Sequence, residues 1–162
     1  MYAGVKTSLR EVRAAGLQTV LDARPDVLNH NVETVPRLYP IVRPQAQFAR
    51  SLALLKRSGE LAPGIPTKSG FMLGLGEVEE EIVQLLQSLR EQDVDIVTIG
   101  QYLRPTPQHL PVVRYVEPAE FERYRTLGLA MGFRDVASGP LVRSSFHAEE
   151  TLMRAVRGAA AV

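Results

Sequence analysis

Apolar positions recur along the chain with helical and strand periods in alternation. Leu9, Val12, Val20 and Leu21 fall on one face of a helix starting near Ser8, where Ser8 and Glu11 have the form of a capping box. Pro25 stops that helix, and Asp26-Val27-Leu28-Asn29 reads as a buried strand end before a polar cluster. Pro36, Pro40 and Pro44 break the next stretch into a turn of helix followed by loop. From Gln45 to Ser58 the spacing of Phe48, Leu52 and Leu55 predicts a helix, with Gly59 as a left-handed C-cap. Ile65 to Leu75 predicts a second strand. It runs through Gly74-Leu75-Gly76 into a helix over 77–91 whose buried face carries Val78, Ile82, Leu85, Leu86 and Leu89. Glu77, Glu79, Glu80 and Glu81 in its first turns complement the helix dipole. Asp95-Ile96-Val97-Thr98-Ile99 is a β-branched strand, and 100–114, with Pro105, Pro107 and Pro111, is a long ordered loop. Pro118 suits the first position of a helix ending near Met131-Gly132, and 134–137 is a further strand candidate. The tail from Glu149 onward reads as a weak or frayed helix.

This alternation predicts an α/β fold of βαβ units with about three parallel strands and flanking helices. Polar residues that follow the strands then gather at their carboxyl ends and form the site. Those segments are Asn29–Glu33, Gly74–Glu77, Gly100–Arg104 and Gly139–His147.

Composition narrows the chemistry. The 162 residues suit one domain with a real core. Nineteen Lys and Arg against 18 Asp and Glu leave a net charge of +1, which predicts neither a nucleic-acid nor an anionic-membrane partner. The first residues, Met1-Tyr2-Ala3-Gly4-Val5, lack an apolar signal core, and no apolar run approaches the ~20 residues of a membrane span, so a cytoplasmic location is expected. Cysteine is absent, which removes disulfides, a thiol nucleophile and any all-thiolate metal site built by this chain alone.

Three constellations carry candidate chemistry, each beside a plainer reading. Asn29-His30-Asn31-Val32-Glu33 packs amide, imidazole and carboxylate groups after a strand; it can hold ribose hydroxyls or an α-amino group, or be a polar turn that caps a helix. Gly70-Phe71-Met72-Leu73-Gly74-Leu75-Gly76-Glu77 lies at a strand-to-helix junction, where glycines admit a ligand or merely make a tight turn. It is neither a P-loop nor the dinucleotide fingerprint, because no Gly-Lys-Ser/Thr follows and Glu79 stands at the third glycine's place. Arg143-Ser144-Ser145-Phe146-His147 offers hydroxyls, a guanidinium and an imidazole. A Ser/His hydrolase lacks its G-x-S-x-G elbow here, and a polar surface turn is the plainer alternative. His30, His109 and His147 show no metal-ligand spacing.

Together these segments resemble lipoyl synthase, a family of radical S-adenosylmethionine (SAM) enzymes, from about Leu17 to Glu149. The most specific stretches are Pro25–Pro36, Pro66–Gly70, Gly74–Glu77, Thr98–Leu103, His109–Val112 and Ser138–Ala148, in that order and spacing. The resemblance implies the C-terminal half of a partial (β/α) TIM-like barrel with SAM at the carboxyl ends of the strands. It divides the chain into an unmatched segment 1–16, the half barrel 17–149 and a tail 150–162. It also implies a reaction. A reduced 4Fe-4S cluster cleaves SAM to a 5′-deoxyadenosyl radical, which takes hydrogen from an octanoyl chain on a lipoyl-carrier protein domain. A second, auxiliary 4Fe-4S cluster then donates sulfur to make the lipoyl group.

By resemblance, Asn31 and Glu33 contact the sugar and methionine parts of SAM. Gly70, Met72, Gly74 and Glu77 match a G-x-I-x-G-x-x-E pattern, with Met for Ile, that lines the adenosyl side and braces the turn. Gln101, Tyr102 and Leu103 line the floor near adenine. One serine of the Arg-Ser-Ser motif ligates the auxiliary cluster, Ser145 with Ser144 as alternate, supported by Arg143 and His147. Phe146 stands where the family has tyrosine. The family's cysteine triads, N-terminal to this region, have no counterpart in the chain. A truncated or frameshifted reading frame, a split enzyme with a separate N-terminal half, or a non-catalytic remnant retaining part of the SAM pocket would each account for that. Half a barrel is further expected to need a partner or to be poorly soluble.

Overall fold

The computed structural model describes residues 4–6 and 14–144. The apolar steps marked in the sequence all become strands: β2 (Val27–Asn29), β3 (Thr67–Leu73), β4 (Ile96–Gln101) and β5 (Asp135–Gly139). A further strand, β1 (Gly4–Lys6), lies within the N-terminal segment that showed no pattern and pairs in parallel with β2. The sheet is therefore five-stranded rather than about three-stranded, and every pairing is parallel. Its order is β1-β2-β3-β4-β5, so each strand lies beside its successor in sequence. A doubly wound sheet reverses direction at a switch point, whereas this one never does. With right-handed crossovers, an unreversed order lays every connecting helix on the same face. That is the construction of a TIM-like barrel, of which this sheet is a part.

Helices α1 (Ala14–Asp22), α3 (Phe48–Leu61), α4 (Glu79–Arg90) and α5 (Pro118–Ala130) supply that layer. Ile82, Leu85, Leu86 and Leu89 of α4 are fully buried against Phe71, Leu73, Val97 and Ile99 of the sheet. Each such side chain contributes roughly 1.5–3 kcal/mol by leaving water. A second cluster joins Leu17 and Leu21 of α1 to Leu28 of β2 and Leu54 of α3. Between β2 and α3 the proline-broken stretch forms a 3-10 turn (Pro36–Leu38) and the short α2 (Tyr39–Val42), as its prolines predict.

Two local expectations change. Gly59 does not end α3, which runs on to Leu61. Beyond it Ala62 and Ile65 pack against the α1–β2 cluster, and burying them rewards the extra turn. Val78 precedes α4 and is half exposed instead of lying on its buried face. The N–H of Val78 is capped by the Glu81 carboxylate at 3.0 Å, so the chain has not yet entered the helix there. The Ser8–Glu11 cap, the unmatched start of the first helix and the tail beyond 144 lie outside the described residues.

At the amino ends of the strands, Asp95 accepts the N–H of Thr67 at 2.8 Å and pairs with Arg134 at 3.0 Å, tying β3, β4 and β5 together. Among the described residues no helix is long and apolar enough to cross a membrane.

Candidate functional site

Strand register decides which side chains reach the face away from the helices. Lys68 pairs with Ile96, Gly70 with Thr98, and Met72 with Gly100, and these partners share the open face. On β5 the corresponding positions are Asp135, Ala137 and Gly139. Toward the carboxyl ends the open face thus presents Gly100 and Gly139 beside Met72. A cavity of about 410 Å³ opens there, within the range of small-molecule sites.

Its first wall is the segment after β2. The chain does not leave the sheet at Asn29: His30 donates to the Lys68 carbonyl, Glu33 donates to Gly70, and Met72 donates back to Glu33, all at 2.9 Å. Glu33 makes this bridge with φ of 68°, a left-handed conformation that is uncommon for a residue bearing a Cβ. The segment is gripped from behind by α2 and the residue after it. The Tyr39 hydroxyl donates to the Val32 carbonyl at 2.7 Å, and Arg43 donates to Asn31 at 3.1 Å while lying over the Tyr39 ring. Burial pushes the Tyr39 hydroxyl above its ordinary pKa, which keeps that donor protonated. Asn31 and Glu33 therefore stand in the cavity wall on a braced backbone. The Asn31 Oδ1 is buried and has no hydrogen-bond partner among the described residues.

Gly70 and Thr98 form the floor. A Cβ on Gly70 would overlap the Thr98 hydroxyl and crowd Asn31 Oδ1, so only glycine fits. The opposite wall is the segment after β5, where Val142, Arg143 and Ser144 line the cavity. It crosses directly over Gly100, whose missing Cβ leaves room for the Val142 carbonyl.

Of the residues singled out in the sequence, the cavity brings together Asn31, Glu33, Gly70, Met72, Arg143 and Ser144. Gly74, Glu77, Gln101, Tyr102 and Leu103 do not line it. Gly74 and Gly76 turn the chain with φ near 100°, and the buried Glu77 carboxylate accepts the N–H groups of Gly74 at 2.6 Å and Leu75 at 2.9 Å. Arg37 closes the same turn through the Gly76 carbonyl and a bidentate pair with Glu81. Gln101 belongs to the helix face, because it lies one residue past Gly100. Its amide donates to Leu73 and Arg114 carbonyls and accepts from Val116, so it clamps the 102–117 loop to β3. Tyr102 donates to the Leu110 carbonyl at 2.8 Å, and Leu103 is partly exposed. These residues hold the carboxyl end of the sheet in shape, and the floor placement expected of Gln101, Tyr102 and Leu103 is not found at this cavity. Ser145 and His147 lie outside the described residues.

Sequence reasoning assigned no role to Lys68, Thr98, Gly100 or Val142. The signal for the first three was the period-two alternation with Gly70 and Met72, readable once the register is known. Among the described residues no cluster of His, Asp or Glu could hold a metal ion, and the chain has no cysteine.

No protein-family model matches the chain. Individual proteins do. A lipoyl synthase of Rubrobacter xylanophilus is 66% identical over 143 residues, covering 88% of this chain and 44% of the relative. A lipoyl synthase of Caldanaerobacter subterraneus is 59% identical over 133 residues, or 82% of this chain and 47% of the relative. One of Geobacillus thermodenitrificans is 54% identical over 141 residues, or 87% and 47%. The chain spans about half the length of the curated relatives it matches. With identity this high across so much of its length, on a sheet wound as part of a TIM-like barrel, the chain matches a fragment of lipoyl synthase.

Proposed function

We propose that this chain is the C-terminal half of a lipoyl synthase barrel and carries SAM-contacting groups of the enzyme. The observation that carries the reading is the cavity at the carboxyl ends of the parallel strands, which joins Asn31, Glu33, Gly70 and Met72 in a chain of this relatedness. The buried Asn31 Oδ1, without a partner among the described residues, fits a ligand that brings a donor, such as the ammonium or a ribose hydroxyl of SAM. The Glu33 carboxylate would pair with the ammonium or accept from the sugar. Gly70 lets the Thr98 hydroxyl and the Asn31 amide close up in the floor, and Gly100 admits the Val142 carbonyl, so both glycines shape the cavity through its walls. SAM, when bound and reduced, supplies a carbon-centred radical able to take hydrogen from an aliphatic chain.

The residues present do not fit a complete iron–sulfur cluster, because such clusters are ordinarily held by thiolates and this chain has none. The Ser144–Ser145 pair can supply one hard oxygen ligand and no more. We therefore assign the cluster ligands to a cysteine-bearing N-terminal half outside this sequence, and the octanoyl substrate to a lipoyl-carrier protein domain in the cytoplasm. Alone, the chain makes no lipoyl product and binds SAM weakly, on the order of millimolar, since half a site loses burial and preorganisation. The competing reading, a non-catalytic remnant of the pocket, rests on the same absence of cysteine.

The test supplies a cysteine-bearing N-terminal half in trans under reducing, iron-loaded conditions with an octanoylated carrier domain. Product with both halves and none with either alone supports the split enzyme. No product in any combination leaves the remnant reading. Saturable SAM binding that weakens on Glu33→Gln supports the site itself, and absence of saturable binding removes it.

A further inference from the structure

Beside the cavity lies a buried charge that the reading above does not use. Lys68 sits on the open face of β3 with 1% of its surface exposed. For packing alone, a methionine or leucine would fill this place without the cost of burying an ammonium. Its Nζ donates to the carbonyl of Ser144 at 2.9 Å, a contact between residues 76 apart in sequence. Among the described residues the segment after β5 has few other anchors on the sheet. Val142 is buried and closes a turn to the Gly139 carbonyl, whereas Leu141 and Arg143 on either side of it are exposed. The Val142 carbonyl lies over Gly100. Among the described residues the segment is thus fixed at two points, by contact with β4 and by the ammonium on β3.

We propose that Lys68 is a positioning residue of this site. Its ammonium holds the 139–144 segment across the open face and so sets where Arg143 and Ser144 stand opposite Asn31 and Glu33. The consequence for SAM rests on the function proposed above; the anchoring of the segment does not. Asp135 shares the open-face row with Lys68, through Ile96, and places a carboxylate on the same side of the sheet. The row is therefore charged on both flanks of an apolar centre.

Hydrogen–deuterium exchange on the full chain separates the parts. In Lys68→Met the amides of Val142, Arg143 and Ser144 should exchange about tenfold faster while Phe71 and Ile99 keep their protection. Lys68→Arg, which retains a charged donor, should restore most of the difference. SAM affinity, measured by calorimetry on the same proteins, should fall about fivefold in Lys68→Met and recover in Lys68→Arg. Unchanged exchange at 142–144 in Lys68→Met overturns the proposal, as does a uniform rise across sheet and segment, which marks mere loss of stability. Failure of the unmodified chain to bind SAM sinks the proposed function and leaves the exchange result standing. If Lys68→Met does not fold, the unmodified chain decides: a slowly exchanging Nζ proton close to Ser144 in nuclear magnetic resonance supports the anchor, and a rapidly exchanging one refutes it.

Discussion

On the helix-covered face, β3 and β4 present Phe71, Leu73, Val97 and Ile99, all buried among the leucines of α4 and aromatics of α5. On the other face the same two strands present Lys68, Gly70 and Met72 beside Ile96, Thr98 and Gly100. The backbone and its hydrogen bonds are common to both, so the difference lies in the side chains alone. The first face is filled to exclude everything. The second keeps glycine where neighbouring protein groups come close, and beside it Asn31 Oδ1 has no hydrogen-bond partner among the described residues. The packed core and the proposed site thus lie on opposite sides of one sheet. Losses on the first should appear as unfolding, and losses on the second as weakened binding.

The largest effect is expected from the helix face. Leu86→Ala, at a fully buried position, should lower unfolding free energy by about 3 kcal/mol in urea titration, through lost transfer energy and a residual cavity. A loss below about 1 kcal/mol would mean that this face is not the main core.

Glu77 joins the two regions, since its carboxylate is buried at the turn that ends β3 without lining the cavity. Glu77→Ala strands the N–H groups of Gly74 and Leu75 and should cost about 2 kcal/mol. SAM affinity should follow only as far as folding is lost, and a selective loss of binding in a stably folded variant would move Glu77 into the site.

A smaller loss is expected in acid. The Arg114 guanidinium, bonded to both oxygens of Glu120, holds that carboxyl below the usual glutamate range. A depressed folded-state pKa means the native chain binds fewer protons than the unfolded one. The pair's contribution, about 1 kcal/mol, is full above the ordinary value of 4.5 and is lost as pH falls toward the folded-state value. Urea midpoints measured from pH 6 down to pH 3 check this, and Arg114→Met should flatten the Glu120 part of the slope.

The open face should give the smallest change in stability. Asn31→Ala removes a buried acceptor that bonds to nothing described, so unfolding free energy should move by less than about 0.5 kcal/mol while SAM binding weakens. A destabilisation near that of Leu86→Ala would erase the division between the two faces.

Much of this was legible before any coordinates. The period of Ile82, Leu85, Leu86 and Leu89 announced α4, and Asp26–Asn29, Ile65–Leu75, Asp95–Ile99 and 134–137 announced four strands of the sheet. Asn31, Glu33, Gly70 and Ser144 were marked as chemistry by their place after strands or at glycine turns. One reading changes for a local cause: Gly59 looks like a helix end, yet glycine only permits a left-handed cap, and the packing of Ala62 and Ile65 carries the helix past it. The place of Gln101 is set by strand parity, which turns its amide to the helix side, where it accepts from Val116.

The sequence by itself determined the alternation of helices and strands from α1 onward, the parallel sheet, the absence of thiolate ligands and the family resemblance, because these follow from local periodicity, composition and linear spacing. Which strands are neighbours, and in what register, was decided only in three dimensions. Register assigns Lys68 to the face of Gly70 and Thr98, brings the 139–144 segment over Gly100, and separates cavity walls from turn braces. A shift of one residue would exchange the two faces, and no stretch of the chain read alone contains the partner strand against which that register is set.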